Sequence, residues 1–314
     1  MRWSYSASRS FRQCQRQWYF KNVVSSAKAK DPLRKRAYLL GKLRSVSAWR
    51  GQIVDDVISR VIVPCVNRNT CITLKQAKRC ARELFERQLA FGRRHPIDDL
   101  NLRVSEIGQD FALFHAMEYN GGLSQTEIDL AWKEVETALE NLFELYDLKQ
   151  LLKSSDYIIT QRALQFPLMD NVTVLAYPDA IAFHSDSAPT IIDWKVHAFG
   201  QNDAWLQLAI YAIALNRCKP HSDFPALSES SLQETKLYEA QLLTNIVREH
   251  VLDEDQFVEA EECMIASAFE MTCLTEGDKY SKLDSEDFTP ALYAETCQRC
   301  AFRKLCWKDC ASAN

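Results

Sequence analysis

The sequence predicts a mixed α/β (α+β) fold, in which a helical front section leads into a compact mixed β-sheet with flanking helices. Two observations predict this class. Before about residue 155, apolar residues recur at helical spacing, and after it β-rich runs alternate with turn residues. The chain has 314 residues, of which 47% are hydrophobic and 25% charged. It can therefore bury a substantial core, in one large domain or two small ones.

The front section is predicted to be helical. A short amphipathic helix over residues 6–24 places aromatic side chains around Cys14. From about residue 50 to residue 155, apolar residues follow each other at three- and four-residue spacing, and Gly121-Gly122 breaks this block. The predicted helical segments of the block are Ile53–Val63, Ala77–Phe91, Ile107–Tyr119 and Ile128–Leu152.

The second half of the sequence supplies the predicted sheet. Its β-rich runs are separated by turn residues such as Met169-Asp170-Asn171. Three strands come first, and a helix, a fourth strand and a second helix follow. The predicted strands are Tyr157–Leu168, Val172–Phe183, Thr190–Val196 and Lys236–Leu243, and the helices are Asp203–Arg217 and Asp253–Met271.

The formal net charge of −4 conceals a strong asymmetry. Residues 1–100 hold 22 Lys+Arg and 7 Asp+Glu, a net of +15, and the other residues hold 16 and 35, a net of −19. A basic third indicates a polyanionic partner, although a solvated face that complements the acidic remainder would have the same composition. Arg34-Lys35-Arg36 is a candidate cluster for contacts with nucleic-acid phosphates.

Two other function classes are disfavoured by the sequence. It has no glycine-rich loop followed by Lys-Ser/Thr, so an ATPase-type phosphate site is not expected. No early apolar stretch resembles a signal peptide, and no apolar run approaches membrane-spanning length. We therefore expect a cytoplasmic protein that does not contact membranes and has no motor of its own.

Two carboxylates and a lysine are predicted to meet in the sheet. Asp193 and Lys195 share one face of a strand, and a hairpin can bring Asp179 alongside Asp193. Converging carboxylates suit a hard divalent cation such as Mg²⁺. A neighbouring lysine can orient an attacking water and stabilise charge that builds on phosphorus. The alternative is a charged strand end paired for solubility, but the surrounding runs are apolar, where a charge is costly.

Cysteines cluster near the end of the sequence. Of the 11 cysteines, Cys297, Cys300 and Cys306 form a C-x₂-C-x₅-C run. Three thiolates need a fourth ligand to hold a [4Fe–4S] cluster or a tetrahedral zinc ion. Cys310 is the local candidate, which would make a zinc knuckle, and Cys14 is the distant one.

Together, these motifs resemble those of the RecB-like PD-(D/E)XK nucleases, which include the nuclease domains of RecB and AddB and the CRISPR-associated RecB-like exonucleases. The resemblance rests on Ala-Tyr-Pro-Asp179, Ile-Ile-Asp193-Trp-Lys195 and Gln207-x-x-x-Tyr211. It implies a restriction-endonuclease-like core in which Asp179 and Asp193 bind Mg²⁺ or Mn²⁺ and Lys195 is catalytic. Gln207 and Tyr211 would help to shape that site.

The resemblance also extends to the cysteines. The stretch Ser6-Ala-Ser8 … Cys14 looks like the first cysteine motif of these nucleases. In them, one early and three late cysteines hold a [4Fe–4S] cluster. The resemblance therefore implies an iron–sulfur module formed by Cys14, Cys297, Cys300 and Cys306.

One motif departs from the family pattern. These nucleases usually carry a Gly followed four residues later by a metal-binding His on a helix. Here Gly51 is followed by Asp55 at the histidine position. Aspartate can bind the same cation, so we expect Asp55 to be a third metal ligand. The alternative is that Asp55 and Asp56 form a solvated helix face.

Four segments are predicted along the chain. Residues 1–50 form a basic segment with the first cluster cysteine, and residues 51–155 form a helical region (an insertion relative to the core) with the first nuclease motif. Residues 156–285 form the nuclease core, and residues 286–314 form the cysteine module.

These features predict a metal-dependent DNA nuclease that hydrolyses phosphodiester bonds. The resemblance implies an exonuclease directed at single strands or ends, in DNA repair, antiviral defence or CRISPR adaptation. A helicase or a CRISPR or defence protein is the expected partner that supplies a motor. The alternative is a non-catalytic iron–sulfur or zinc DNA-binding subunit, which the aspartate at position 55 would favour.

Overall fold

A computed structural model describes residues 1–197, 204–225, 232–275 and 280–307. Its strands are β1 (Arg2–Trp3), β2 (Leu43–Arg44), β3 (Leu113–Phe114), β4 (Tyr157–Thr160), β5 (Leu164–Met169), β6 (Val172–Ala176), β7 (Ala180–His184), β8 (Ser187–Lys195), β9 (Lys236–Gln241) and β10 (Ile246–Glu249).

The helices are α1 (Tyr5–Gln13), α2 (Gln15–Tyr19), α3 (Pro32–Leu40), α4 (Val46–Val57), α5 (Val63–Asn67), α6 (Leu74–Arg93), α7 (Val104–Ile107), α8 (His115–Tyr119), α9 (Gln125–Glu144), α10 (Tyr146–Ser154), α11 (Ala204–Arg217), α12 (Glu254–Thr275), α13 (Ala294–Gln298) and α14 (Arg303–Cys306). Within the described ranges, no helix is both long and apolar enough to cross a membrane.

The central sheet has five strands in the order β10-β9-β8-β7-β4. It is mixed, because β8 and β9 run parallel while the other neighbours run antiparallel. The parallel pair is joined by a crossover that contains α11. A second sheet has the order β1-β6-β5, and β2 pairs with β3. The predicted mixed α/β class is confirmed.

The two faces of the central sheet belong to two apolar cores. Ile191 faces the core that contains α11 and α12, whereas Ile192 and Trp194 face the core that contains α4, α6 and α9. This alternation is the two-residue period of a strand. It fixes the direction of the polar residues of β8: Asp193 and Lys195 face α11, and the indole of Trp194 lies on the α4 side.

Two predicted strands are wrong in extent, because each is divided between two sheets. The run Tyr157–Leu168 breaks at Gln161, which has a left-handed backbone with φ +51°, so β4 joins the central sheet and β5 the second. The run Val172–Phe183 likewise divides into β6 and β7 at residues 177–179. This break includes Pro178, which has no N–H to donate to a strand ladder.

The predicted helix Ile107–Tyr119 is also wrong. The chain turns at Gly108, where φ is +65°, and then forms β3 before the short helix α8. Pairing of Leu113 with Leu43 in the parallel β2–β3 ladder accounts for the strand. The predicted helix over residues 6–24 is interrupted at Cys14 and ends in a π-helical turn, Phe20–Val24. The predicted start of α11, Asp203, lies outside the described residues.

The beginning and the end of the described chain pack against each other. Tyr19 stacks on Phe288 with ring centroids 4.4 Å apart, and Phe20 stacks on Phe302 at 5.9 Å. The indole N–H of Trp3 donates to Ser267 Oγ at 2.8 Å. These contacts bring Cys14 to the segment that carries the other clustered cysteines.

Candidate active site

Three elements bring the sequence-predicted acidic residues to one place. Asp55 lies in the last turn of α4, Asp179 directly precedes β7, and Asp193 lies near the end of β8. In the antiparallel β7–β8 hairpin Ala180 is paired with Ile192, which places Asp179 beside the end of β8. Asp179 Oδ2 accepts a hydrogen bond from the backbone N–H of Trp194 at 3.0 Å. The predicted hairpin between Asp179 and Asp193 is confirmed.

Asp55 is joined to this group by two side chains. Gln161 Nε2 donates to Asp55 Oδ1 at 2.9 Å and to Asp179 Oδ1 at 3.0 Å. The indole N–H of Trp194 donates to Asp55 Oδ1 at 3.1 Å. Asp56 has different partners, since it pairs with Arg60 at 3.0 Å. The structure thus separates these two adjacent aspartates, and only Asp55 faces the other carboxylates.

A second hydrogen-bond network surrounds Asp193, which is buried and only 3% exposed. Lys195 Nζ lies 2.5 Å from Asp193 Oδ2 and donates to Gln207 Oε1 at 3.1 Å. Gln207 Nε2 lies 3.3 Å from Asp193 Oδ1 and donates to Tyr211 OH at 2.6 Å. Gln207 and Tyr211 are one turn apart on α11, so both reach the β8 face that carries Asp193 and Lys195.

The electrostatics of the site favour a bound cation. Burial raises the pKa of Asp179 well above its ordinary value, and the neighbouring Asp193 and Asp55 raise it further. Burial also raises the pKa of Asp193, against the opposing effect of Lys195, and it raises the pKa of Asp55. Three carboxylates that repel each other in a desolvated place are stabilised by a divalent positive charge.

The donor set can be tested against the divalent metal that the motif pattern implies. Among the described residues, no three His, Cys, Asp or Glu side chains are arranged so that they could hold a metal ion as they stand. Lys195 and Gln207 instead contact the two oxygens of Asp193. The chemistry of the donors nevertheless fits, because Asp55, Asp179 and Asp193 offer carboxylate oxygens, the ligands of Mg²⁺ and Mn²⁺.

The structure adds a buried polar pair that sequence reasoning missed. Glu239 on β9 is paired in register with Asp193 on β8, and Gln241 with Lys195. Glu239 is 0% exposed and accepts a hydrogen bond from Gln241 Nε2 at 3.1 Å. Its proximity raises the pKa of Asp193. The sequence could have indicated this pair. Alternate residues of a strand share one face, so Glu239 and Gln241 lie on the same face as the core residue Leu237.

The four clustered thiols lie around one small pocket, lined by Cys14, Cys297, Cys300 and Cys306. Burial raises the pKa of the Cys300 thiol to about 12, and the other three thiols add smaller effects. Cys14 Sγ accepts a hydrogen bond from the backbone N–H of Gln17 at 3.3 Å. The structure therefore brings the predicted cluster cysteines together within the described chain, although not in a metal-ligating arrangement. Cys310, the alternative fourth ligand, lies outside the described residues.

Comparison with known proteins gives a family match over nearly the whole chain. The model of the PD-(D/E)XK nuclease superfamily matches residues 2–307. No curated protein matches the sequence significantly. A solved structure described as "Crystal structure of SSO0001" aligns with 57% of this chain and 76% of its own, at 15% identity and a TM-score of 0.25. A likeness at that level carries no structural argument.

The family match agrees with the architecture. A mixed central sheet flanked by helices fits a restriction-endonuclease-like fold. Nucleases of this superfamily use divalent metals such as Mg²⁺ or Mn²⁺. The chain belongs to the PD-(D/E)XK nuclease superfamily and is, at that level, a metal-dependent nuclease.

Proposed function

We propose that the protein is a DNA exonuclease that hydrolyses phosphodiester bonds in single strands or at DNA ends. The observation that carries the proposal is the convergence of Asp55, Asp179 and Asp193 beside Lys195. The end-directed preference rests on the resemblance to RecB-like exonucleases, and so does a role in repair, defence or CRISPR adaptation. We also propose that a helicase or a defence protein is the partner and that the protein is cytoplasmic.

The site residues divide the proposed reaction between them. Asp55, Asp179 and Asp193 would hold Mg²⁺ or Mn²⁺, which supplies Lewis-acid activation of the phosphate and of a water. Lys195 Nζ, held by Gln207 Oε1, is placed to orient the water oxygen and to offset negative charge on the phosphate oxygens. A new bond forms between the water oxygen and phosphorus as that water gives up a proton to solvent, and the bond from phosphorus to the leaving oxygen breaks as that oxygen takes a proton from solvent.

Tyr211 acts on this arrangement indirectly. Gln207 donates to Tyr211 OH, and burial raises the pKa of that phenol well above its ordinary value. Tyr211 therefore stays protonated at neutral pH and serves as a neutral partner of Gln207. It fixes the amide orientation in which Gln207 Oε1 faces Lys195. Gln207 and Tyr211 are thus positioning residues in this proposal.

We also propose that Cys14, Cys297, Cys300 and Cys306 hold a [4Fe–4S] cluster. The proposal is supported by their common pocket and by the aromatic contacts that join the two segments carrying them. Anaerobically purified protein should be brown and contain iron and sulfide. Colourless protein with stoichiometric zinc would identify a zinc site instead.

The nuclease proposal is tested with end-labelled single-stranded and double-stranded DNA, with and without Mg²⁺ or Mn²⁺. We expect metal-dependent release of short products from labelled ends by the wild type. Asp193→Asn should abolish cleavage and retain DNA binding, because the carboxylate is needed for cation binding and chemistry more than for affinity. Asp98→Asn, at an exposed position paired with Arg36, is the matched control and should cleave normally.

The outcomes separate the two candidate functions. Wild-type cleavage by Asp193→Asn would overturn the assignment of the site. DNA binding without cleavage by the wild type, under every metal condition, would identify a non-catalytic DNA-binding subunit. Circularised single-stranded DNA, which has no ends, distinguishes exonuclease from endonuclease action.

A further inference from the structure

Helix α12 has a row of apolar side chains on the side that faces solvent. Its opposite, buried side holds Phe257, Ala260, Met264, Ala268 and Met271. On the outer side, Val258 is 51% exposed, Ile265 42% and Phe269 59%. These three residues follow each other at spacings of seven and four, so they lie on one side of the helix over about 16 Å. We call them the α12 row.

The α12 row is flanked by carboxylates. The helix contains six acidic residues and no lysine or arginine. At 100° per residue, Glu254 and Glu261 lie on one flank of the row, and Glu259 and Glu262 lie on the other. Among the described residues, Glu261 alone has a basic partner, Arg217 at 2.6 Å. In the described chain, the other carboxylates of α12 are therefore available to a basic group from outside. The six acidic residues are Glu254, Asp255, Glu259, Glu261, Glu262 and Glu270.

The packing of α12 inside the protein does not use the row. Helices α1 and α11 pack against α12, and Trp3 donates to Ser267 on its buried side. The exposure of Val258, Ile265 and Phe269 shows that the described chain leaves the row uncovered. Single exposed apolar residues are common on soluble proteins, but several in one patch mark a contact surface.

The charge of α12 decides between possible occupants of the row. DNA and a second α12 helix are both acidic, so like charges would repel each other along the whole contact. The basic front section of a second copy is also a poor match, because its arginines have partners in their own chain. Arg34 Nε donates to the carbonyl of Val24 at 2.8 Å, and Arg36 is held by Asp98 and Glu118. A basic segment of another protein has the complementary charge.

We propose that the α12 row binds an amphipathic helix of a partner protein, whose apolar stripe is flanked by lysine or arginine. Such a helix presents apolar side chains at three- and four-residue spacing, which matches the spacing of the row. Apolar contact would supply most of the affinity, and charge pairs on both flanks would set the orientation and exclude acidic partners. The proposal does not depend on the proposed nuclease function, because the row contains no residue of the carboxylate site.

The test uses a fluorescently labelled helical peptide of leucine and lysine, with leucine at positions a and d of each heptad. A matched peptide has glutamate in place of every lysine. Fluorescence anisotropy measures the binding of each peptide to the full chain over a range of salt concentrations. We expect the leucine–lysine peptide to bind, with an affinity that falls as the salt concentration rises, and the leucine–glutamate peptide not to bind.

Two apolar double variants locate the contact. Ile265→Ser with Phe269→Ser should weaken binding of the leucine–lysine peptide by about tenfold or more, because two large apolar side chains no longer become buried. The matched control is Leu130→Ser with Ile246→Ser, which removes two exposed apolar side chains from α9 and β10. This control pair should bind the peptide like the wild type.

Two charge variants test the flanks of the row. Glu259→Gln with Glu262→Gln should weaken binding at low salt and make the affinity less dependent on salt. The control is Glu144→Gln with Glu249→Gln, two exposed carboxylates at the ends of α9 and β10. It removes the same charge elsewhere on the surface and should leave both quantities close to those of the wild type.

Four results would overturn the proposal. The first is wild-type affinity in the Ile265→Ser, Phe269→Ser variant, and the second is an equal loss of affinity in its control pair. The third is a marked fall in the melting temperature of that variant, which would mean that these side chains pack inside the folded protein. The fourth is a wild-type dimer in analytical ultracentrifugation that the variant converts to a monomer, because a second copy would then be the occupant.

Discussion

Asp55 and Asp56 show how one residue of separation decides a role on a helix. Neighbouring positions point about 100° apart, so Asp55 reaches Gln161 and Trp194 while Asp56 pairs with Arg60. That Asp55 replaces the usual histidine as a metal ligand stays a prediction, and the bridge from Asp55 through Gln161 to Asp179 supports it. A site with carboxylates and no imidazole favours Mg²⁺ or Mn²⁺ over later transition metals.

Replacement of Asp55 tests this role. Asp55→Ala should raise the Mg²⁺ concentration that gives half-maximal cleavage by about tenfold or more, because one ligand oxygen is lost. Asp55→His should retain part of the activity. The measurement is a metal titration of the cleavage rate, and Asp56→Ala is the control. Equal metal dependence of the wild type, Asp55→Ala and Asp56→Ala would show that Asp55 does not bind the metal.

The charge of Glu239 is also expected to affect metal binding at the site. Its buried carboxylate lies beside Asp193 and raises the pKa of Asp193, so it also makes the site more negative for a cation. Glu239→Gln removes the charge and retains an oxygen for Gln241. We expect an increase of about threefold to tenfold in the Mg²⁺ requirement, with a smaller change in the rate at saturating Mg²⁺.

The matched control for Glu239 is Glu249→Gln on the exposed edge strand β10. It removes the same charge at a solvated position, where screening makes the effect on the site small. If the two variants have the same metal requirement, Glu239 has a structural role only. If the rate falls while the metal requirement stays constant, the electrostatic explanation is wrong.

At the residue scale, spacing was sufficient for part of the candidate site. Asp179, Asp193 and Lys195 could be placed together because a hairpin and a two-residue strand period relate them. Gln161 could not be placed, because its contacts depend on a left-handed turn that joins two sheets. Glu239 could not be placed beside Asp193 because that requires the register of a parallel pair formed across a crossover.

Among the elements, the break between α1 and α2 has a specific chemical consequence. Cys14 interrupts the predicted helix and caps α2, because its sulfur accepts the N–H of Gln17. Serine is among the best residues at a helix cap. Cys14→Ser therefore preserves the cap and removes the thiolate that the proposed iron–sulfur cluster needs.

Because Cys14→Ser separates the helix-capping role of Cys14 from its role as a cluster ligand, it gives a test of the cysteine module. Cys14→Ser should lose iron, sulfide and visible absorbance while its far-ultraviolet circular dichroism stays close to that of the wild type. Cys218→Ser, at a buried cysteine outside the pocket, is the control and should keep its iron. Iron retention by Cys14→Ser would mean that another residue completes the ligand set.

The sequence patterns located most elements but not their ends. Long periodic segments such as Ala77–Phe91 were found correctly, because α6 buries one side along its whole length. The errors lie where tertiary pairing overrides a local pattern. The segment Ile107–Tyr119 has helical spacing, yet its middle pairs with β2, and the strand runs split where the chain passes between sheets.

For the whole molecule, Glu118 links the helical region to the cysteine-bearing segment. This buried carboxylate accepts hydrogen bonds from Lys304 at 2.8 Å and Arg36 at 3.0 Å, and His95 lies at 2.8 Å. Burial alone would raise the pKa of Glu118, but hydrogen bonds from Lys304 and His95 and the charge of Arg36 lower it overall. The ionised form is therefore favoured by folding.

The sign of this shift gives a pH dependence. A carboxylate with a lowered pKa contributes stability above its unfolded value of about 4.3, and the contribution is lost as the pH falls through the lower folded value. Glu118→Gln should cost about 2 kcal/mol at pH 7, measured by thermal or denaturant unfolding. The cost should shrink below about pH 4.

The exposed Glu106, which pairs with Arg103 on the surface, is the control for Glu118. Glu106→Gln should change the stability by less than about 1 kcal/mol, because exposed ion pairs contribute little. A cost for Glu118→Gln that is independent of pH would mean that the shape of the side chain, and not its charge, holds the two regions together.

The amide of Gln161 gives the site an occupant of its own. Its two donated hydrogen bonds bridge Asp55 and Asp179, so a cation that enters must displace a group already in place. If these carboxylates bind the proposed metal, its uptake is an exchange in which the metal replaces the amide of Gln161, and the measured metal affinity is the difference between the free energies of these two interactions. The amide of Gln161 would hold Asp55 and Asp179 together while the metal is absent, and it would weaken net metal binding because its two hydrogen bonds are lost when the metal enters.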